Sequence, residues 1–450
     1  MIFLDISIYL CYDIIDGGAS YEKKIEEKLL IWKNNESRRM PLVLNGARQV
    51  GKTYILRDFG EKYYKNVVYI NLETNYAVSS YFADNIAPEK IIRYLEATVN
   101  EAIIPGETLV IFDEIQACVK ALTSLKYFCG ETPEYHIAAA GSLLGVAINP
   151  QNYSFPVGKV EALTLYPFDF AEFLWARDEI QLCKEIKNCY NHRIPMIEGL
   201  HQKALDLYKE YVIIGGMPAC INLFLKTGKL IDIPNVQVEI TDNYIADMAK
   251  YASNTDSVKI RACYQSIPTQ LAKDNKKFQY KTVQKGGTTS IFGVSIEWLN
   301  LAGVVLKCQK IEHAYEPIAV YSDLSSFKLH MGDVGLLVLK SGISHQTILS
   351  GQGNSFLGAV TENYVAQQLT AKGYGLYYWA SEHTAELDFV LQKENQIIGI
   401  EVKKGEHKKA KSLNVFISKY KPAYSVKISI KNFGEKDHVK SIPLYAVFCI

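Results

Sequence analysis

Residues 42–53 read Leu-Val-Leu-Asn-Gly-Ala-Arg-Gln-Val-Gly-Lys-Thr. Pro41 to Asn45 is a short apolar run and predicts a buried strand, while Thr53 to Phe59 opens a helix. The residues that join them, Gly46-Ala47-Arg48-Gln49-Val50-Gly51-Lys52-Thr53, fit G-x-x-x-x-G-K-[ST] in full, in the strand-to-helix setting that pattern needs. Glycine lets the backbone curl until its N–H groups converge on one anion. The start of a helix adds positive potential at the same point. The stretch therefore predicts a cradle for a triphosphate, built from Gly46 through Thr53 and Tyr54. Lys52 would neutralise the β and γ phosphates, and Thr53 would place a hydroxyl on Mg²⁺.

Downstream, Leu109-Val-Ile-Phe is a fully apolar run that ends in Asp113-Glu114. Open parallel sheets bind ligands beyond the C-terminal ends of their strands. Asp113 is therefore expected to hold Mg²⁺ through water, and Glu114 to polarise the attacking water. A second acid behind the Mg²⁺ aspartate favours hydrolysis by a bound carboxylate base over a GTPase switch. No Asn-Lys-x-Asp run is present to read guanine, so ATP with Mg²⁺ is the expected pair. Further apolar runs at Val67–Leu72, Ile137–Ala140 and Val160–Leu165 alternate with helical stretches at Pro88–Ile103 and Ala117–Phe128. That alternation predicts a parallel sheet covered on both faces. Ser142, just past Ala138-Ala-Ala-Gly141, sits where a hydroxyl can sense the γ phosphate, or equally where it caps the next turn. A cation for the transition state would come from Arg48, Arg177, Arg193 or Arg261, each as readily a surface ion pair.

The chain has 450 residues, too many for one core, and its 48% apolar and 22% charged content is that of a folded protein. Disordered, collagen-like and multi-span membrane classes are excluded. Lys plus Arg at 49 against Asp plus Glu at 48 leaves no global charge to announce nucleic acid or membrane. Nine cysteines without a C-x-x-C, and no H-E-x-x-H, support neither a zinc ribbon nor a redox pair. Scattered thiols suit a reducing cytosol, so a cytoplasmic location is expected. The apolar start, Met1 to Ile15, is interrupted by Asp5 and Asp13 and lacks a basic flank. It reads as an extension or docking segment, not a signal peptide.

Beyond about residue 355 the pattern changes to a helix, a hairpin, a lysine-rich segment and a strand. Glu386-Leu-Asp388-Phe-Val-Leu and Ile397-Ile-Gly-Ile-Glu401-Val-Lys403 read as the two arms of a hairpin turning at Glu394-Asn395. In that register Asp388 faces Glu401 at about 5 Å, and Lys403 shares the face of Glu401. Opposed carboxylates repel unless a cation lies between them. Asp388, Glu401 and Lys403, joined by Glu362 from the helix Thr361–Leu369, are thus a candidate hydrolytic centre. Its three acids would bind a divalent metal that activates water, and the lysine would steady the developing charge. A solvent-facing hairpin with ordinary charge alternation has the same spacing. The last 50 residues carry 11 lysines and four acids. Their lysines, with Phe416 and Tyr420 interleaved, suit a phosphate backbone or a solvated face.

Several stretches, taken in order, resemble prokaryotic AAA-superfamily ATPases with a C-terminal domain of unknown function similar to the PD-(D/E)XK, restriction-endonuclease-like fold. They are GARQVGKT (46–53), LVIFDEIQ (109–116), AAGS (139–142), LYPFDFAEFL (165–174), GGMPACI (215–221), YIADMAKY (244–251), DVGLL (333–337), TENYVAQQL (361–369), YYWASEHTAELDFVL (377–391), GIEVKKG (399–405) and IPLYAVF (442–448). The resemblance implies an α/β chain in four parts. An N-terminal extension and helix (1–35) precede an AAA-type P-loop domain with a three-layer parallel sheet (36–200). A helical and winged-helix-like domain (201–335) and an α/β restriction-endonuclease-like domain (336–450) follow. By matching position it implies that Lys52 and Thr53 meet nucleotide and Mg²⁺. Asp113 and Glu114 would serve hydrolysis, and Glu362, Asp388, Glu401 and Lys403 would form the nuclease-like core. It further implies ATP as ligand, DNA as a partner of the last two domains, no membrane, and a chain compatible with a homo-oligomer. Two departures stand out. No proline precedes the first aspartate of the nuclease pattern, and Lys159 stands where relatives favour an arginine after glycine. The alternative reading is an ATP-dependent switch or protein-binding module with an inactive nuclease fold.

Overall fold

The computed structural model describes residues 24–35, 37–84, 86–141, 156–351, 354–381, 385–403 and 411–450. Five strands form the first sheet: β1 (Leu42–Asn45), β2 (Asn66–Asn71), β3 (Thr108–Asp113), β4 (His136–Ala140) and β5 (Glu161–Thr164). Their order is β2-β3-β4-β1-β5, parallel throughout. Side chains alternate across a strand, so the two faces feed two cores. Leu42, Leu44, Leu109, Ile111 and Ala138 join one. Val43, Val68, Ile70, Val110, Phe112 and Ala139 join the other. Helix Lys52–Tyr63 packs on the first side, and helices Tyr76–Asp84, Pro88–Val99 and Val119–Glu131 on the second. This is the expected three-layer parallel sheet. Strand β4 lies between β1 and β3, so the phosphate loop and the Asp113-Glu114 pair open at the same edge with one strand between them.

Helices Glu198–Ile214, Ile233–Tyr251, Asn254–Leu271 and Thr289–Leu301 make up most of the middle of the chain. Strands β6 (Val305–Ile311) and β7 (Ser322–Met331) form an antiparallel pair. That pair does not stay in a separate module. It extends the C-terminal sheet through a parallel contact between β6 and β8 (Tyr377–Ala380), Gln309↔Tyr377 to Ile311↔Trp379. The eight strands run β12-β13-β11-β10-β9-β8-β6-β7, with β8 Tyr377–Ala380, β9 Glu386–Lys393, β10 Gln396–Val402, β11 Ser425–Ser429, β12 Gly434–Lys436 and β13 Val439–Pro443. An unpaired β8 would expose a row of backbone donors and acceptors, which β6 satisfies. The sheet is therefore built from both sides of residue 335.

A buried knot joins the three parts. Asp333 Oδ2 accepts the N–H of Gly216 at 2.6 Å, and Oδ1 accepts that of Leu336 at 3.1 Å. Gly215, at φ 78°, lies so close that a Cβ there would sit 2.2 Å from Asp333 Oδ1. Phe168 N–H donates to Gly216 O at 2.8 Å, and Tyr211 donates its hydroxyl proton to Phe168 O at 2.5 Å. Gln368 Oε1 accepts Phe170 N–H at 2.9 Å. Burial pushes the Asp333 carboxyl up to about 6, although three backbone N–H groups pull it down. The apolar marks around Phe168, Gly215 and Asp333 thus converge on one interior point.

Candidate functional site

The phosphate loop has the curl its sequence demands. Gly46 has φ 144°, Gln49 64° and Gly51 92°. A Cβ on Gly46 would lie 2.2 Å from the carbonyl oxygen of Leu165, so only glycine fits. Val50 anchors the loop in the core and is fully buried. Tyr54 follows in the first turn of helix Lys52–Tyr63, half-buried. The Lys52 ammonium folds onto the loop itself, donating to Gly46 O at 3.0 Å and Ala47 O at 2.8 Å. Burial pulls its pKa down to about 8; Glu114 and Asp113 work against that, and Arg48 adds to it.

Asp113, at the end of β3 and 5% exposed, gathers the rest of the site. Its Oδ2 accepts hydroxyl protons from Thr53 and from Tyr69, each at 2.8 Å. Its Oδ1 accepts Glu114 N–H at 3.0 Å. Glu114 has the left-handed φ of 49°, and its Oε2 accepts the side-chain amide of Gln116. Gln116 Oε1 is buried without a hydrogen-bond partner among the described residues. Magnesium fits this donor set, because a hydroxyl and a carboxylate oxygen already converge, and hard oxygen ligands are what it takes. Tyr69 and Gln116 escaped the motif reading. Tyr69 reaches Asp113 through the β2–β3 register, which no local pattern reveals. Tyr69→Phe removes one of two hydroxyl bonds to a carboxylate, and bonds of that kind are worth about 1.5–3 kcal/mol. The expected result is a Mg²⁺ requirement for ATP turnover raised about tenfold or more, read from Mg²⁺ titrations of the two proteins.

Of the four arginines weighed as partners for the transition state, Arg48 alone belongs to the loop. It forms an ion pair with Asp247, which is nearly buried on helix Ile233–Tyr251. Tyr244, one turn earlier, donates to Arg48 O at 3.3 Å. Lys250 pairs with Glu73 beyond β2. Gly303 also presses on the loop, since a Cβ there would lie 3.3 Å from Ala47 N. Arg177 pairs with Glu210 at 3.4 Å and Arg193 with Glu435 at 3.3 Å. Arg261 and Lys159 lie on exposed surface. Ser142 falls outside the described residues.

At the other end the hairpin closes in the expected register, from Gln396↔Lys393 to Ile400↔Phe389. Asp388, next along, accepts Val402 N–H on Oδ2 at 2.7 Å. Glu401 pairs with Lys403 at 2.7 Å, and its second oxygen is buried without a hydrogen-bond partner among the described residues. Glu362 is buried on helix Leu357–Ala371, but what reaches it is lysine. Lys328 Nζ lies 3.1 Å from Glu362 Oε1 and 2.7 Å from Glu386 Oε1, while Lys276 holds Glu362 Oε2. Burial would raise the Glu362 carboxyl, yet Lys328 and Lys276 hold it well below the usual carboxylate range. Burial, and then the Glu362 charge, push Asp388 up to about 6. Among the described residues no group of three or more His, Cys, Asp or Glu side chains is placed to hold a metal ion. The metal set expected of Glu362, Asp388 and Glu401 is therefore not assembled. Two ammonium groups stand among those acids, and Glu401 is taken by Lys403.

Residues 38–174 match a sequence family described as "AAA domain". Residues 205–347 and 357–447 match two families described as "Domain of unknown function (DUF8612)" and "Domain of unknown function (DUF4143)". A comparison with curated proteins finds no match. Solved structures with similarity include a signal-transduction ATPase with numerous domains and a tetratricopeptide repeat sensor, from Pyrococcus horikoshii. It is 12% identical, with a TM-score of 0.30, over 79% of this chain and 46% of that one. This chain thus spans under half of that protein's length. The RuvB Holliday junction branch migration motor of Thermotoga maritima is 12% identical, with a TM-score of 0.29, over 63% of this chain and 89% of that one. DnaA of Aquifex aeolicus, bound to AMPPCP, is 12% identical, with a TM-score of 0.28, over 65% and 95%. Similarity of that size bears on no step of the chemistry. The family match and the parallel sheet together support an AAA-type P-loop ATPase domain at residues 38–174. No described helix is long and apolar enough to cross a membrane.

Proposed function

We propose that this chain binds and hydrolyses Mg²⁺–ATP at Gly46–Thr53 and acts as an ATP-dependent switch on the segments packed against that loop. The observation that carries the reading is the convergence on Asp113. One carboxylate oxygen meets Thr53 of the loop and Tyr69 of the neighbouring strand, and Glu114 is the next residue. When bound, Mg²⁺ supplies charge to the β and γ phosphates, and Thr53 and Asp113 are the residues that would hold it. Lys52 exchanges its two loop carbonyls for phosphate oxygens. Glu114 orients the attacking water and accepts its proton. The state of the loop passes to helix Ile233–Tyr251 through the Arg48–Asp247 pair and to Gly303 through backbone contact.

The switch reading is favoured over coupling to DNA cleavage. Helix Thr289–Leu301, which lies in the part of the chain expected to be winged-helix-like, exposes Thr289, Ser290, Ile291, Val294, Glu297 and Leu301, and no cation among them. A surface of that kind lacks the Lys and Arg that phosphate contacts require. The acid cluster, in turn, is met by lysines. The test of the ATPase reading is Lys52→Ala, followed by binding of a fluorescent ATP analogue and by phosphate release. Affinity should fall by about tenfold or more, as expected when a charge-assisted contact is lost, and turnover should disappear. Turnover at the wild-type rate would refute the assignment.

A further inference from the structure

The cluster around Glu362 has the composition of a metal centre and the contacts of something else. Glu362 sits on helix Leu357–Ala371, and Glu386 and Asp388 on β9, all in the C-terminal segment. Their cations come from the middle segment: Lys328 from β7, and Lys276 from the turn after helix Asn254–Leu271. Both oxygens of Glu362 are engaged, Oε1 by Lys328 at 3.1 Å and Oε2 by Lys276. Glu386 Oε1 is 2.7 Å from Lys328, and Asp388 Oδ2 is taken by Val402 N–H. His330, fully buried beside them, leaves its Nε2 4.0 Å from Glu362 Oε1, beyond hydrogen-bond reach.

Lys328 is not a surface side chain that happens to bend inward. It is 1% exposed, its strand pairs Lys328 with Cys308, and its ammonium lies 4.8 Å over the Tyr378 ring. Those constraints fix both stem and head. A divalent cation needs several oxygens at about 2.0–2.6 Å, and here both oxygens of Glu362 and Oε1 of Glu386 already face ammonium groups, while Asp388 Oδ2 accepts a backbone N–H. A dication added beside two lysines would face direct repulsion in a medium of low dielectric. We propose that the ammonium groups of Lys276 and Lys328 occupy the place of a divalent cation among Glu362, Glu386 and Asp388. The cluster is then a metal-independent clasp that fastens the middle segment to the C-terminal segment. This is independent of the ATPase reading, because no residue of the phosphate loop takes part.

The experiment is Mn²⁺ uptake by the full chain without nucleotide, followed by electron paramagnetic resonance of free Mn²⁺. The proteins are wild type, Asp388→Asn, and the double variant Lys276→Met/Lys328→Met. Wild type and Asp388→Asn should take up the same amount, and EDTA should leave the wild-type melting temperature unchanged. The double variant, with its acids uncovered, should gain one equivalent, and that equivalent should vanish when Glu362→Gln is added. An extra equivalent in wild type that Asp388→Asn removes would overturn the proposal, as would a melting temperature lowered by EDTA. So would a folded double variant that gains no Mn²⁺. If the double variant does not fold, the comparison of wild type with Asp388→Asn still decides.

Discussion

Glu114→Gln should cut ATP turnover by about 10²–10⁴-fold, the range associated with a positioned general base, while leaving ATP binding close to wild type. The substitution keeps the shape of the side chain and an oxygen able to accept the amide of Gln116, which contacts Glu114 Oε2 now. It does not touch the groups that bind triphosphate: the loop N–H groups, Lys52 and the Thr53 hydroxyl. What it removes is the charge that draws the proton from water. Single-turnover phosphate release beside equilibrium binding of a fluorescent ATP analogue separates the two quantities. A fall in affinity equal to the fall in turnover would mean that Glu114 belongs to binding, and that the base lies elsewhere. Lys52→Ala should lose affinity together with turnover, so the pair of variants separates a residue that serves binding from one that serves chemistry alone.

The proposed nucleotide site was legible because its residues are packed into short, contiguous stretches. Gly46 to Thr53 fold against themselves, and Asp113-Glu114 terminate one apolar strand. The parallel order of β1 to β4 follows from strand–helix alternation. The hairpin register was legible too, since a two-residue turn fixes every later pair, through to Ile400↔Phe389. What could not be read were contacts between residues far apart in the chain. Arg48 meets Asp247 199 residues later. Tyr69 reaches Asp113 only once β2 and β3 have paired, 44 residues apart. The pairing of β6 with β8, which carries the middle strands into the C-terminal sheet, leaves no trace in periodicity. The acids of the C-terminal cluster could be placed by spacing. Lys328, 34 residues before Glu362, and Lys276, 86 before it, could not. An acidic cluster announces that it needs a cation, and the sequence around it does not say whether that cation is a metal or a side chain from another segment.

Stability separates those two cations by its sign. If Glu362 were held for catalysis, its carboxylate would be crowded at the expense of stability, and Glu362→Ala would cost little or even stabilise the fold. The lysine contacts predict the reverse. Glu362→Ala leaves Lys276 without its carboxylate partner and takes from Lys328 its buried ion pair, leaving it the pair with the part-exposed Glu386, in a place where Lys328 is 1% exposed. Removing one partner of a buried ion pair typically costs about 3–5 kcal/mol. In a domain of this size that should lower the melting temperature by on the order of 10 °C. Lys328→Met should cost less. Its methylene stem is replaced by a chain of similar length, Glu362 keeps Lys276, and Glu386, with 36% of its side chain exposed, can turn to water. Thermal unfolding of the two variants at the same pH and salt gives the comparison directly. A destabilised Glu362→Ala beside a milder Lys328→Met is the pattern of a clasp whose charges were buried to join two segments. A Glu362→Ala variant as stable as wild type would return the cluster to the chemistry its spacing first suggested.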